Sequence, residues 1–392
     1  MTVVLSMCVA ALIFLTVKIN ATDKQKEPTT KPVEWKLPKG TMVYPSDEFH
    51  VTADASYVFF TGTEWSRQDV EAGRQPKEIC WMFETHTGKW TDFAGLLANA
   101  TKGKNFVVSS LRPSPDGKYV LFTARKAEWS VFSPTPDFTD PTTVPSRIDR
   151  LTMTAFLVSL EDKKVRRLTE ASRIDPPRWF GGRVAFSRVD KRGLFQPICL
   201  FDPTGKDKPI QWKVRGMLAD ANDEMKVILC SCDPDDPGKP STFVLVDKQI
   251  VTMTVQGKVL SRLGRADLVS SMPLLSPKAM YVAFQKSKTR AGFGKLPTGL
   301  HVQVMSVNGK EAWKINESAK PITVSDDGKV ITIGDTYASD EKDNPIKIWN
   351  KQGESRTLVA SAQAATVSGN SLFYVTSGNQ PLIKSLPLKF ME

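Results

Sequence analysis

One hairpin unit recurs along nearly the whole chain, and it constrains the fold more than any other feature. Residues 113–124 read PSPDGKYVLFTA, in which an Asp-Gly pair leads into an alternating apolar strand. That combination is the strongest short-range hairpin signal a sequence carries. VSDDGKVITIGD from Val324 repeats it, and LSPKAMYVAFQK from Leu275 is a looser copy. Four degenerate copies complete the series: TADASYVFFTG from Thr52, WFGGRVAFSR from Trp179, ADANDEMKVILCS from Ala219 and VSGNSLFYVTS from Val367.

A second turn signal follows each pair of strands. WMFETHTGKW, ICLFDPTGKD, VQVMSVNGKEAW and IKIWNKQGES each run from an apolar strand into a Gly turn. The unit is therefore a four-stranded meander, a-b-c-d, tightly turned at a-b and c-d. Seven units span residues 34–390 at roughly 50 residues each, which is what four short strands and their turns need. Self-similarity at that period predicts an all-β, seven-bladed β-propeller. A six-bladed ring, with one degenerate copy false, and an open β-sandwich are the alternatives.

The last copy ends before a fourth strand can form, and an unpaired edge invites aggregation. EWKLPKGTMVY, from Glu34 to Tyr44, has no partner of its own. It is expected to supply the missing outer strand and close the ring.

Pro113–Ala124 and Val324–Asp335 resemble the TolB-like, WD-repeat-like propeller unit, whose signature is a Ser-Pro-Asp-Gly-Lys turn before an apolar strand. The resemblance implies a six- or seven-bladed propeller, commonly exported in bacteria, that serves as a protein-binding platform or as the non-catalytic half of a serine peptidase. A peptidase would add an α/β-hydrolase domain with a Gly-x-Ser-x-Gly elbow, and the sequence contains neither. Some related propellers are metal-dependent lyases with several His around the channel. A polysaccharide lyase or hydrolase at the channel mouth is thus the alternative function.

Upstream of the repeats, Val3–Val17 form an uncharged apolar run followed by the polar, Pro-containing segment 22–33. A run shorter than the ~20 residues of a membrane span fits a signal-peptide core. The expected organisation is a signal peptide at 1–21 cleaved near Ala21, a polar linker at 22–33 and the propeller at 34–392, with an uncleaved anchor as the alternative. No membrane span remains after cleavage, and the expected location is periplasmic or secreted. Cys80, Cys199, Cys230 and Cys232 then stand in an oxidising compartment, which permits disulfides. Cys230 and Cys232 share one face of a strand, an awkward geometry for bridging, and buried thiols are the expectation for all four.

The chain holds three His in all. His50, His86 and His301 fall on different parts of the repeat, so no nucleophile-base pair or His-rich metal site is assembled, and no catalytic residue, metal or cofactor is assigned. The string Asp233–Gly238, DPDDPG, lacks the terminal Glu of a calcium loop and reads as a surface turn.

The long connections all fall between strands b and c: 63–78, 125–150, 188–195, 233–240, 286–299 and 335–345. They share one end of the ring, and loops held on a rigid scaffold are where binding residues concentrate. The chain carries 53 Lys and Arg against 42 Asp and Glu, a formal charge of +11. Within these loops the charges cancel, which speaks against nucleic acid and for a protein partner, expected in the envelope, on a monomeric propeller. The candidate contact residues are Trp65, Arg67, Trp129, Phe132, Phe138, Arg290, Phe293 and Tyr337. Packing between blades is an equal alternative for Trp65 and Trp129.

Overall fold

The computed structural model describes residues 34–38, 41–42, 49–64, 77–100, 106–126, 153–233, 235–240, 249–264, 273–286, 300–334, 344–377 and 381–388. The signal and linker segments assigned to 1–33 lie outside them. Among the described residues the chain forms a seven-bladed β-propeller, each blade an antiparallel meander. Blade 2 is representative, with strands Phe106–Pro113, Tyr119–Lys126, Met153–Ser159 and Val165–Ala171 side by side from the axis outward.

The innermost strands form a closed circle. Phe49–Val51 of blade 1 touches Phe106–Pro113, and Arg178–Phe180 of blade 3 touches Met217–Asn222 of blade 4. The series continues through Leu274–Leu275 and Ala319–Val324 to Ala362–Ser368 of blade 7, which returns to Phe49–Val51. Blades 2 and 3 are joined where Trp179 Nε1 donates to Arg112 O at 3.2 Å.

Burial explains the sequence pattern. A second strand is covered on both faces by neighbouring blades, so it reads as a continuous apolar run: every residue of Val227–Cys232 is buried. An outer strand such as Ile210–Arg215 keeps one face in solvent and alternates, burying Trp212 and Val214. The four cysteines of the propeller are buried thiols, and Cys230 and Cys232 enter the same packed cluster.

The repeated turn has a specific chemistry. Ser114 Oγ donates to Asp116 Oδ1 at 2.6 Å and accepts the Tyr119 N–H at 2.9 Å, while Asp116 Oδ1 accepts the Lys118 N–H. Thr52, Asp54 and Tyr57 make the same set in blade 1. Gly117 stands at φ +68°, a left-handed conformation that glycine adopts without steric cost. In degenerate copies Ala55, Lys226 and Ala279 hold that conformation instead.

Two features depart from the sequence expectation. Among the described residues ring closure uses Glu34–Lys36, which pairs antiparallel with Leu382–Lys384, and not the whole of 34–44. Thr41–Met42 pairs instead with Thr63 and Glu64 of blade 1, and Pro38, which lies between the two strands, lacks the N–H that a ladder needs. A helix, Phe93–Ala100, joins blades 1 and 2 and buries Phe93 and Leu97, one helical turn apart.

Candidate functional site

Trp65, Arg67, Trp129, Phe132, Phe138, Arg290, Phe293 and Tyr337 all lie outside the described residues. The described residues do place the ends of the b-c connections together. Arg125 and Met153, which flank the 127–152 segment, are neighbours across two paired strands. Both line a cavity of about 460 Å³ between blades 2 and 3.

Five separate stretches of chain build that cavity. Its apolar walls are Met153, Ile174, Pro176 and Val189. Ile174 and Val189 are held there by a two-stranded ladder, Arg173–Ile174 against Arg188–Val189, inserted between the blades. Deeper in, Ser110 and Thr123 bond to each other at 2.7 Å, and both are buried.

The charged groups divide into two kinds. The Asp175 carboxylate is buried and accepts Arg173 Nε at 2.9 Å. Asp190 closes its own loop: Oδ1 accepts the Arg192 and Leu194 amides at 2.8 and 3.0 Å, and Oδ2 accepts Gln196 Nε2 at 2.9 Å. Arg125, Arg173 and Lys191 also line the cavity, with Arg125 and Lys191 exposed and the Arg173 side chain 41% exposed. The lining thus carries three cations and two carboxylates, of which Asp190 serves its own loop and Asp175 gives Oδ1 to Arg173.

The channel wall is charged too, but its groups stitch blades together. Arg112 Nη1 lies 2.5 Å from His50 Nε2 of blade 1. Arg178 Nε donates to Ala219 O of blade 4 at 2.7 Å and stands 3.6 Å from Asp220 Oδ1. Asp220 Oδ2 in turn accepts the Leu275 N–H of blade 5 at 2.7 Å. Burial pushes the Asp220 carboxyl above its ordinary range, and the Arg178 guanidinium opposes the rise.

His86 sits in the c-d turn of blade 1, edge-on to Tyr57, and His301 opens the third strand of blade 5. With His50 on the inner strand of blade 1, the three imidazoles occupy three different places in the ring. Asp233 uses its carboxylate to accept the Asp235 and Asp236 amides, and Asp235 pairs with Arg262 at 2.5 Å. DPDDPG is thus a self-capped loop. The Cys199 thiol is pushed up by burial, against the nearby Arg188. At the tight-turn end, Met225 and Met280 are each about half exposed, on the a-b turns of blades 4 and 5. No helix among the described residues is long and apolar enough to cross a membrane.

Sequence reasoning missed the cavity. Its one visible signal is Ser172-Arg173-Ile174-Asp175-Pro176-Pro177, where a carboxylate precedes two prolines in a junction between blades.

Solved structures share the ring. The β-propeller domain of the Trilobed protease from Pyrococcus furiosus is 11% identical over 91% of this chain and 98% of that chain, with a TM-score of 0.51. A chain of the Mitotic Checkpoint Complex is 7% identical over 91% of each, with a TM-score of 0.53. TolB from Acinetobacter baumannii is 12% identical over 87% of this chain and 79% of that chain, with a TM-score of 0.40. No protein-family model and no curated protein sequence matches the chain. At identities this low the first two establish the shared fold and nothing finer. The Pyrococcus domain has an open velcro topology, whereas here Glu34–Lys36 closes the ring on the last blade.

Proposed function

We propose that this chain is an exported, non-enzymatic propeller of the periplasm or cell envelope that binds a protein partner through the end of the ring carrying the b-c connections. The observation that carries the proposal is the cavity between blades 2 and 3, which opens where the longest of those connections leaves and re-enters the blade. A concave, mostly apolar recess with a few charged groups at its mouth is the form binding sites take. The opposite end is built of tight turns whose Ser, Thr and Asp side chains satisfy their own backbone. The apolar run Val3–Val17 supports export.

Photo-cross-linkers placed at Lys191, on the cavity end, and at Lys310, on the tight-turn end, test the proposal in cells. A partner captured from Lys191 and not from Lys310 is the expected outcome, with Trp129→Ala weakening capture. Capture from Lys310 alone, or equal capture from both positions, would overturn it.

A further inference from the structure

We infer that the tight-turn end of blades 3, 4 and 5 docks on an anionic lipid surface, with Ile210, Met225, Leu260 and Met280 entering the headgroup layer. The inference takes its setting from the export reading above, because an exported chain works beside a bilayer. It concerns the end of the ring opposite the cavity.

Position comes first. Among the described residues the exposed large apolar side chains are Ile210, Met225, Leu260 and Met280, at 41 to 51% relative exposure. Ile210 opens the outer strand of blade 3 just after its c-d turn, and Leu260 is second in the outer strand of blade 4, Val259–Gly264. Met225 lies in the a-b turn between Met217–Asn222 and Val227–Cys232, and Met280 in the turn between Leu274–Leu275 and Tyr281–Lys286. In a meander the a-b and c-d turns share one end, so all four emerge at that end of three consecutive blades. The two a-b turns are tied together, since Asn222 Nδ2 donates to Pro277 O at 2.5 Å. The repeat puts a polar residue where blade 5 has methionine: directly after the left-handed residue of the turn, blades 1, 2 and 6 carry Ser56, Lys118 and Lys329, and blade 5 carries Met280.

Charge selects the occupant. The same turns hold Lys206, Lys208, Lys258, Lys278 and Lys310, all exposed and, among the described residues, in no ion pair. Arg183 pairs with Asp207, and Lys226 with Asp223. Of the remaining acids, Asp202 accepts amides of its own turn and Glu311 pairs with Lys351 of blade 6, which leaves Glu224 as the one exposed carboxylate there without a partner among the described residues. Apolar tips among ammonium groups complement a surface that is anionic at its face and apolar beneath. Lysine suits that boundary, because its stem lies along apolar surface while its charge stays with the phosphates.

Shape favours a bilayer over a protein. The four side chains stand on separate turns and strand ends with polar residues between them, so a folded partner meets no continuous apolar patch. A fluid lipid surface admits each tip separately.

Site-specific fluorescence of the full chain tests the inference. The dye NBD is attached to a cysteine at Met280→Cys or, on the opposite end, at Lys191→Cys, each in a Cys8→Ser background; the four propeller cysteines are buried. On vesicles of phosphatidylcholine and phosphatidylglycerol the Met280→Cys label is expected to brighten severalfold and to be quenched by spin-labelled lipid, while the Lys191→Cys label stays unchanged. The apolar run Val3–Val17 is present in both proteins, so it does not account for a difference between them. Met225→Ser, and Lys278→Gln combined with Lys310→Gln, are each expected to raise the lipid needed for half the response severalfold and to leave the melting temperature unchanged. No response from the Met280→Cys label would overturn the inference, as would an equal response from the Lys191→Cys label or an equal response on pure phosphatidylcholine. A Met280→Cys label that brightens with protein concentration in the absence of lipid would show that these side chains cover a second copy, and the lipid inference would fall. The cross-linking result is independent. Capture from Lys191 with no lipid response would leave the platform proposal standing and remove only this one, and a lipid response with no capture would do the reverse.

Discussion

The indole of Trp35 lies nearly parallel to the ring of Phe373, with centroids 6.5 Å apart and planes 10° from parallel. The same indole meets Phe83 of blade 1 edge-on at 5.6 Å. One side chain of the closing strand therefore packs against the last blade and the first, and the ring is latched by aromatic contact as well as by backbone pairing.

Truncating the latch should be costly. Trp35→Ala is expected to lower unfolding free energy by about 2–4 kcal/mol, below the full range for a buried aromatic because Trp35 is only half-buried. Glu34 pairs with Lys384 at 2.5 Å, but both side chains are substantially exposed, so Glu34→Gln should cost no more than about 0.5 kcal/mol. Urea denaturation of the two variants separates the terms. Equal losses would mean that the ion pair, not the ring, holds the strand.

The degenerate turns offer a stabilising test. Ala279 sits at φ +51° in the turn where the intact repeat has glycine. A left-handed conformation costs an L-residue about 1–2 kcal/mol, partly offset by the greater freedom glycine has when unfolded. Ala279→Gly should raise stability by up to about 1 kcal/mol, while Gly117→Ala should lower it. A drop in melting temperature for Ala279→Gly would show that its methyl contributes more by packing than its conformation costs.

Acid should unfold the protein through its turns. Asp202 accepts Thr204 Oγ1 at 2.7 Å and the backbone amides of Thr204, Lys206 and Asp207, and these bonds hold its carboxyl well below the ordinary range. Asp162 is drawn down to about 2, chiefly by its bond with Lys164. Both values are depressed relative to the unfolded chain. Their stabilisation is therefore complete above the ordinary carboxylate pKa of about 4 and fades as pH falls below it. Melting temperatures at decreasing pH should fall across that window, and Asp202→Asn should flatten the fall. A decline parallel to that of the parent protein would exclude Asp202 as a contributor.

The hairpins were legible in sequence for the reason these predictions are local. Ser114, Asp116, Gly117 and Tyr119 close their turn within six residues, so the chemistry is written contiguously. Ring closure was legible because Glu34–Tyr44 has no partner of its own in sequence, but its extent was not. Whether Thr41 joins blade 7 or blade 1 depends on pairing with Glu64, which no local signal encodes. The helix was hidden because Phe93 and Leu97 are too few to set a helical period against the surrounding strands. The cavity was least legible, since Ser110, Met153, Ile174 and Val189 become neighbours only once blades 2 and 3 pack.

The inner-strand charges should prove structural. Asp220 links Arg178 of blade 3 to the Leu275 amide of blade 5, so Asp220→Ala removes both contacts and leaves Arg178 buried beside an empty space. A loss of about 2–4 kcal/mol is expected, and Asp220→Asn, which still accepts from Leu275, should lose less. Equal stability of Asp220→Ala and the parent protein would free this carboxylate for a role in the channel.

Gly216 marks the passage from blade 3 to blade 4, between Arg215 and Met217. A Cβ there would lie 2.4 Å from Ser231 O, 2.7 Å from Cys232 Cβ and 3.0 Å from Cys230 Sγ. Two of those neighbours are fixed by the paired strand Val227–Cys232, every residue of which is buried, so they have nowhere to retreat. Gly216→Ala should therefore destabilise by about 3 kcal/mol or more, at the upper end for added volume in a packed interior. Trimming one neighbour should not restore it: Cys230→Ala removes the Sγ contact but leaves the carbonyl of Ser231, and the double variant should melt no higher than Gly216→Ala alone. Recovery in the double variant would place the conflict on the thiol rather than on the strand backbone, and an unchanged melt for Gly216→Ala would show that the two blades can move apart at this junction.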